Sequence, residues 1–408
     1  MQILKDQFMK SVLILMSGSF LGQLVNFVTA PIMTRLFSAY DIGMFTYINT
    51  IASIFIPVIC LRYENAIVLE KNNNNIYALI KLCFIINLFL SVVIFLALNF
   101  YFRFSEVFKY LFFVLGIIFI SGVINILTAF NTRKKYYNLL SKISIYRPIV
   151  NLVFIIIFGI FNSNFVGLLV AYIVSLIAGI YSQAKFLFND ISNLLEVRFL
   201  ELKNISKNYI QFPKFSVPAI FFNNISYLSL NFFITTLYGM DILGYYSLSY
   251  RILGVPLSLI SNNIGNVFYE KAAKEYYNNG SFRNIFVKTF KLLLLLTIPL
   301  TVFIYFISPW FCSFYFGANW GIAGEYIQVL SLLFGIRFIV SPLTAGILVL
   351  KENKIELICQ FLFFLVSLLI FLYARYVDLL SIDDFLLYVS LGFSIIYSVF
   401  GYIIYKLS

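Results

Sequence analysis

The sequence predicts an all-α integral membrane protein with about 12 transmembrane helices. Hydrophobic residues make up 62% of the 408 residues and charged residues only 11%, and the mean hydropathy is +0.94. This composition is too apolar for the surface of a soluble domain. The apolar runs are about 20 residues long, as a helix crossing a hydrocarbon core of about 30 Å requires, and they lack the alternation of barrel strands.

Twelve apolar spans follow one another between charged or turn-rich breaks. The first span is too long for the apolar region of a signal peptide and has no small-residue cleavage site, so we expect it to stay as a helix. The predicted spans lie at about 11–31, 43–62, 77–99, 108–130, 143–161, 165–186, 215–237, 242–268, 285–308, 325–350, 355–374 and 385–405.

The longest polar connection lies between the sixth and seventh spans and divides the chain into two halves of six spans. We therefore predict an N-terminal lobe at 1–190, a cytoplasmic linker at 191–214 and a C-terminal lobe at 215–408. The halves resemble each other locally, since Thr34–Phe37 and Thr235–Tyr238 are separated by 201 positions, as are the glycine-containing segments that follow them. Two six-helix repeats of this kind enter the membrane from the same side.

Most of the 29 basic residues fall in the segments that lie on the same side as the N-terminus. The positive-inside rule therefore predicts that both termini are cytoplasmic. The same distribution accounts for most of the net charge of +12, so no nucleic-acid partner is needed to explain it.

Catalysis and metal binding are not indicated. The chain has no histidine, which is the commonest general base and metal ligand at neutral pH. Its cysteines, Cys60, Cys83, Cys312 and Cys359, are scattered and suggest neither a disulfide framework nor a metal cluster. We expect a protein that is not an enzyme and has no cofactor.

Arginines within apolar spans are the strongest functional signal, because a charge near the bilayer centre is costly and usually faces a cavity or the protein interior. Arg251 lies about 14 Å along its helix from the outer end and Arg337 about 18 Å. Arg147 follows Lys142 closely and either contacts substrate or extends to the headgroups. For Arg251 and Arg337 the alternative is pairing with backbone carbonyls inside the bundle.

The acidic residues all fall at span ends or in loops, so the predicted interior is positive. Such a cavity attracts anions, and the arginine fork matches phosphate oxygens in pairs. Tyr245, Tyr246, Tyr250 and Phe338 lie near the arginines, where aromatic faces either stack on sugars or fill the core.

Four segments carry a resemblance to a known family: Ala30–Ile48, Leu61–Lys71, Gly244–Tyr276 and Phe316–Leu343. They resemble the polysaccharide transport proteins, which include O-antigen and capsule repeat-unit flippases, within the multidrug/oligosaccharidyl-lipid/polysaccharide flippase superfamily. The resemblance implies two six-helix lobes around a central cavity in the bacterial inner membrane.

The resemblance also implies a substrate, an undecaprenyl-diphosphate-linked oligosaccharide, moved to the periplasmic leaflet by alternating access during lipopolysaccharide or capsule synthesis. Membrane lipid and a polysaccharide polymerase are the other expected partners. Arg251 and Arg337 match the cationic cavity lining of the family, and Arg147 matches it less well.

Relatives coupled to H⁺ or Na⁺ usually need a buried carboxylate, and the predicted interior has none. Coupling is then absent or uses a residue near a mouth of the cavity, such as Glu64, Glu270, Glu325 or Glu356. Arg62, beside Glu64, forms a gate, a ligand site or only an interfacial ion pair. Two other readings stay open: an ion-coupled exporter of drugs or small metabolites, and a membrane-bound glycosyltransferase or polymerase.

Overall fold

The computed structural model describes the backbone of residues 7–188, 190–350 and 352–408. Within these ranges it does not describe the side chains of residues 7–13, 73, 255, 256, 258, 259, 262 and 353. The regular secondary structure in the described ranges is entirely helical, which confirms the predicted fold class. The chain divides into two compact units, Met1–Asn224 and Ile225–Ser408.

Ten helices lie in the first unit and the eleventh crosses the unit boundary. They are α1 Gln7–Leu36, α2 Ala39–Phe55, α3 Tyr63–Leu69, α4 Asn73–Tyr101, α5 Leu111–Arg133, α6 Tyr137–Ile160, α7 Asn164–Ile177, α8 Ile180–Phe188, α9 Ile191–Glu196, α10 Phe199–Asn208 and α11 Val217–Tyr238. The second unit continues with α12 Met240–Asn279, α13 Arg283–Phe316, α14 Gly321–Leu343, α15 Ala345–Leu350, α16 Asn353–Tyr376 and α17 Ile382–Leu407.

Eleven helical segments in the described ranges are long and apolar enough to cross a membrane, against twelve predicted. The difference is α12, which contains the predicted span 242–268 but is not among the eleven. Arg251 and the neighbouring serine and tyrosine side chains make this helix more polar than the others. The total still agrees with about 12 membrane helices.

Small residues and helix caps hold the first unit together. A Cβ on Gly18 of α1 would lie 2.2 Å from Ser141 Oγ of α6, so only glycine allows these two helices to approach so closely. Ser141 Oγ donates a hydrogen bond to Ile14 O at 2.8 Å across the same contact. Asp41 joins two helix starts, because it forms a capping box with Ser38 on α2 and accepts from Phe165 N of α7 at 2.9 Å.

The predicted linker is largely helical and is attached to the first unit. Helices α9 and α10 both pack against α4. Lys81 Nζ of α4 donates to Leu195 O at 3.3 Å and to Val197 O at 2.8 Å, and Tyr63 OH donates to Ser206 O at 3.0 Å. Tyr209 OH donates to Glu70 Oε2 at 3.1 Å. These contacts fix the position of both short helices.

Helix α14 is the centre of the second unit, where it packs against α12, α13 and α17. Close polar contacts support two of these helix pairs. Ser249 Oγ of α12 donates to Ala323 O at 2.7 Å, and Ser308 Oγ of α13 donates to Gly324 O at 3.1 Å. A side chain in the middle of α14 is therefore surrounded by protein on several sides.

Candidate functional site

Arg337 lies on this central helix and is held by aromatic side chains. Its Nη1 donates a hydrogen bond to Tyr250 OH of α12 at 3.0 Å. Its guanidinium carbon lies 5.3 Å from the ring centre of Tyr227 on α11 and 5.7 Å from that of Phe334, one turn earlier on α14. Both distances are within the range of a cation–π contact, which contributes about 0.5–2 kcal/mol.

The tyrosine hydroxyls form a second layer around the arginine. Tyr227 OH and Tyr397 OH lie 3.1 Å apart and share a hydrogen bond, while Tyr250 packs edge-on against Phe334. We call the pocket enclosed by α11, α12, α14 and α17 the arginine box. Its lining consists of Tyr227, Leu230, Tyr246, Tyr250, Leu330, Leu333, Phe334, Arg337, Leu386, Val389, Phe393 and Tyr397.

The arginine box is narrow in this conformation. Its free volume is about 20 Å³, which is room for about one water molecule. A diphosphate or a sugar ring cannot enter unless a wall of the box moves. Tyr250 is part of this wall, and its hydroxyl accepts a hydrogen bond from the guanidinium.

The positive charge of Arg337 has no counter-ion in the arginine box. None of the described residues that line the box carries a carboxylate. Aromatic faces and a hydroxyl lower the cost of burying the charge without neutralising it, and a charge at this depth usually marks a site for a charged species. The arginine box is therefore positively charged.

Arg251 is not part of the arginine box, although its neighbour Tyr250 is. Successive residues on a helix differ by about 100° in direction, and the lining takes Tyr246 and Tyr250, one turn apart, from this part of α12. Arg251 is partly exposed and has an interaction partner. Of the two predicted substrate arginines, Arg337 lines the arginine box and Arg251 does not.

Arg147 in the first unit contacts a helix break. Helix α7 ends at Ile177 and α8 starts at Ile180, with Gly179 at φ +84° between them. Arg147 Nε donates to the freed carbonyl of Ala178 at 3.1 Å, as a cation near a helix C-terminus commonly does. Its Nη2 is buried and has no hydrogen-bond partner among the described residues.

Arg62 and Glu64 form an ion pair, with 3.6 Å between Nη1 and Oε1. The chain turns sharply here, since Leu61 and Arg62 have φ of 50° and 64° in the left-handed region that non-glycine residues rarely occupy. The turn directs Glu64 inward, and it is the one charged residue with a buried side chain in the described part of the chain. Glu64 lies outside the eleven apolar segments, so the expectation of a membrane interior without a carboxylate stays a prediction.

Burial affects the pKa of the Glu64 carboxyl. Burial raises this pKa, while Arg62 acts in the opposite direction. Cys60 and Cys83 interact electrostatically with Glu64. Its Oε2 has no hydrogen-bond partner among the described residues. Glu64 is therefore a buried carboxyl that is paired with Arg62 through one of its two oxygens.

The other coupling candidates differ from Glu64. Glu270, Glu325 and Glu356 are all exposed, on α12, α14 and α16 respectively. Their exposure distinguishes these three carboxylates from the buried Glu64. The structure therefore separates Glu64 from the other three.

Two members of the arginine box, Tyr227 and Tyr397, were not predicted from the sequence. Tyr246 and Tyr250 were among the aromatic residues expected near the arginines, but Tyr227 and Tyr397 lie far from Arg337 in sequence. Tyrosine is too frequent in this chain, at 29 residues, for either position to stand out. Phe338, which was expected near the arginines, is buried but does not line the box.

The fold is similar to that of several solved transporters. The lipid II flippase MurJ in an inward closed conformation aligns with a TM-score of 0.73 at 13% identity, covering 96% of this chain and 86% of that one. An inward-facing multidrug resistance MATE family transporter of the MOP superfamily gives 0.68 at 15% identity, covering 96% and 94%. A MOP superfamily transporter from Pyrococcus furiosus gives 0.66 at 15% identity, covering 99% and 96%. These TM-scores show a shared fold, and at identities of 13–15% the likeness extends to the fold alone.

Sequence comparison points to polysaccharide biosynthesis. The teichuronic acid biosynthesis protein TuaB of Bacillus subtilis (strain 168) is 24% identical over 229 residues, which is 55% of this chain and 45% of TuaB. The chain thus spans under half the length of this curated relative. A family described as polysaccharide biosynthesis protein matches residues 32–325, well over half of the sequence. The chain belongs to this family of polysaccharide biosynthesis proteins.

Proposed function

We propose that this protein is a flippase for a lipid-linked oligosaccharide. Its substrate is an undecaprenyl-diphosphate-linked repeat unit of the O-antigen or capsule type. The protein moves this unit from the cytoplasmic to the periplasmic leaflet of the bacterial inner membrane by alternating access, with both termini cytoplasmic. The family membership and the MurJ-like fold support this reading, and they also favour a transporter over an enzyme.

The uncompensated charge of Arg337 is the observation that carries the proposal. The diphosphate is the charged part of the proposed substrate, and a guanidinium binds phosphate oxygens in pairs through parallel N–H donors. Tyr250 occupies Nη1 in the closed arginine box. In the proposed cycle the box opens, a phosphate oxygen replaces the Tyr250 hydroxyl, and the released tyrosine rings become available to stack on sugar.

The other two arginines have different proposed roles. Arg251 is partly exposed and would contact the substrate outside the arginine box, where it adds to the attraction of anions. Arg147 would act mainly on the α7–α8 break through Ala178. Its unpartnered Nη2 leaves two N–H donors for a phosphate oxygen.

Proton coupling is assigned to Glu64 in this proposal. A proton bound at low pH removes the buried negative charge and weakens the attraction to Arg62, which releases the strained turn at residues 61–62. H⁺ is the proposed ion, because a single buried carboxyl can take up a proton without further ligands.

A deletion strain tests this function directly. Loss of the gene should remove surface polysaccharide and leave its lipid-linked repeat unit in the cytoplasmic leaflet, while the glycosyltransferases still assemble it. Normal polysaccharide in the deletion strain would contradict the proposal. Rescue of a drug-sensitive strain by the protein, with no effect on polysaccharide, would instead support a drug or metabolite exporter.

A further inference from the structure

Helix α10 carries an exposed face that combines apolar and basic side chains. Phe199, Lys203 and Lys207 are spaced by four residues, so they form one line along the helix, with Leu200 beside them. Phe199 is 80% exposed and Leu200 is 66% exposed, and both lysines are exposed. We call this surface the α10 face.

The opposite side of α10 is packed against protein. Leu202 and Ile205 are buried, and the helix contacts α4. Glu201 is not on the α10 face, because it lies about 160° around the helix axis from Lys203, and its carboxylate accepts from Arg198 N at 2.9 Å at the start of the helix. The face is therefore apolar and positive, with no acidic side chain on it.

The location of α10 relative to the membrane follows from the apolar segments on either side. One ends at Phe188 and the next starts at Phe212, so the short stretch between them stays near one membrane surface. The contacts from Lys81 and Tyr63 hold it beside the start of α4, another apolar segment that begins at Asn74. The α10 face is thus fixed where the helices leave the bilayer.

We propose that α10 is an interfacial helix that binds anionic phospholipid. Phe199 and Leu200 enter the boundary between headgroups and acyl chains, and Lys203 and Lys207 contact anionic headgroups. Helices with apolar and basic residues arranged in this way lie in the membrane surface. A basic residue close to an anionic leaflet is attracted to it electrostatically. The charge of the α10 face matches this partner and would repel a basic one.

A fluorescent probe on each side of the helix tests the proposal in the full-length protein. Leu200→Cys places an environment-sensitive probe on the α10 face, and Asn208→Cys places the same probe on an exposed position on another side. The four native cysteines are buried, and labelling of the parent protein gives the background. The proteins are compared in nanodiscs of phosphatidylcholine alone and of phosphatidylcholine with phosphatidylglycerol.

We expect emission at shorter wavelength from position 200 than from position 208, with a larger difference in the presence of phosphatidylglycerol. Lys203→Gln with Lys207→Gln should reduce the inserted-to-solvated ratio of the probe at position 200 by about tenfold or more at low salt. Equal emission at the two positions would overturn the interfacial placement. Headgroup binding would be overturned if the difference in emission did not change with phosphatidylglycerol or with the lysine substitutions. It would also be overturned if a soluble protein shielded the probe at position 200 while the emission did not respond to lipid composition.

Discussion

Arg337 and Tyr250 join the central helix of the second unit to α12 through a hydrogen bond of 3.0 Å. The bond links a buried cation to a neutral hydroxyl, so it orients the guanidinium and leaves its charge in place. If position 337 served folding stability alone, an apolar residue would be expected there, because replacing buried charges with apolar groups is often neutral or stabilising.

Replacing Arg337 should abolish transport without lowering the thermal stability of the protein. Arg337→Met preserves side-chain length and removes the charge, so we expect thermal unfolding in detergent to be unchanged or to shift upward, while polysaccharide export is lost. Arg337→Lys keeps a charge without the paired donors and should retain only part of the export. Leu332→Ala, at an exposed position on the same helix, is the matched control and should export normally.

Two outcomes would count against the role of Arg337. Normal export by Arg337→Met would show that the charge is not used. A large loss of thermal stability together with export would indicate that the arginine acts only as a structural support.

Glu64 should make stability depend on pH. Burial raises its folded pKa above the unfolded value, so its contribution to stability is complete below the unfolded pKa and is lost as pH rises through the folded pKa. Relative to Glu64→Gln, the wild-type protein should therefore lose thermal stability as pH rises across this window. The Glu325→Gln variant, altered at an exposed carboxyl, should follow the wild type.

A pH-independent difference between wild type and Glu64→Gln would contradict the buried, titrating carboxyl. If Glu64 also couples transport to protons, the pH dependence of export should disappear in the same variant and persist in Glu325→Gln.

Asp41 should be more important for stability than an ordinary helix cap. It accepts from Ser38 N, Ser38 Oγ and Phe165 N, and thus serves the starts of α2 and α7. Asp384 forms the corresponding pair with Ser381 at the start of α17 only. A lost cap costs about 0.5–2 kcal/mol, so Asp41→Ala should lower the unfolding temperature more than Asp384→Ala, and equal shifts would contradict the double role.

Arg147 should behave as a positioning residue for the α7–α8 break. Arg147→Met leaves the Ala178 carbonyl without its charged donor, a loss of about 1.5–3 kcal/mol for a hydrogen bond to a charged group. We expect a lower unfolding temperature and partial export. Unchanged stability with complete loss of export would assign Arg147 to the substrate instead.

Hydropathy was sufficient to predict the membrane helices, but not the direction of their side chains. Arg251 and Arg337 were given the same role because both lie near the middle of a span. On a helix such as α12, where apolar residues occupy several faces, no periodicity indicates which side meets protein. The packing of α14 decides that Tyr250, and not Arg251, reaches the arginine box.

Local backbone geometry and short helices account for other differences. The left-handed residues Leu61 and Arg62 have no glycine or asparagine signature, so the turn that buries Glu64 is not visible in the sequence. The segment that forms helices α9 and α10 was predicted as a polar linker, because each helix is too short to show a clear periodicity in the sequence. The sequence repeat between the two halves agrees with the helix starts. Helix α2 starts at Ala39 and α12 at Met240, which is the predicted offset of 201 positions. Helix α2 then ends at Phe55, whereas α12 continues to Asn279.

The most direct test is translocation by the purified protein. A lipid-linked oligosaccharide with a diphosphate is placed in the inner leaflet of liposomes that contain the protein, and its arrival in the outer leaflet is followed with an externally added lectin or glycosidase. The account predicts transfer by the wild type and by Leu332→Ala, and none above protein-free liposomes by Arg337→Met. Transfer by Arg337→Met at the wild-type rate, or no transfer by the wild type, would contradict it.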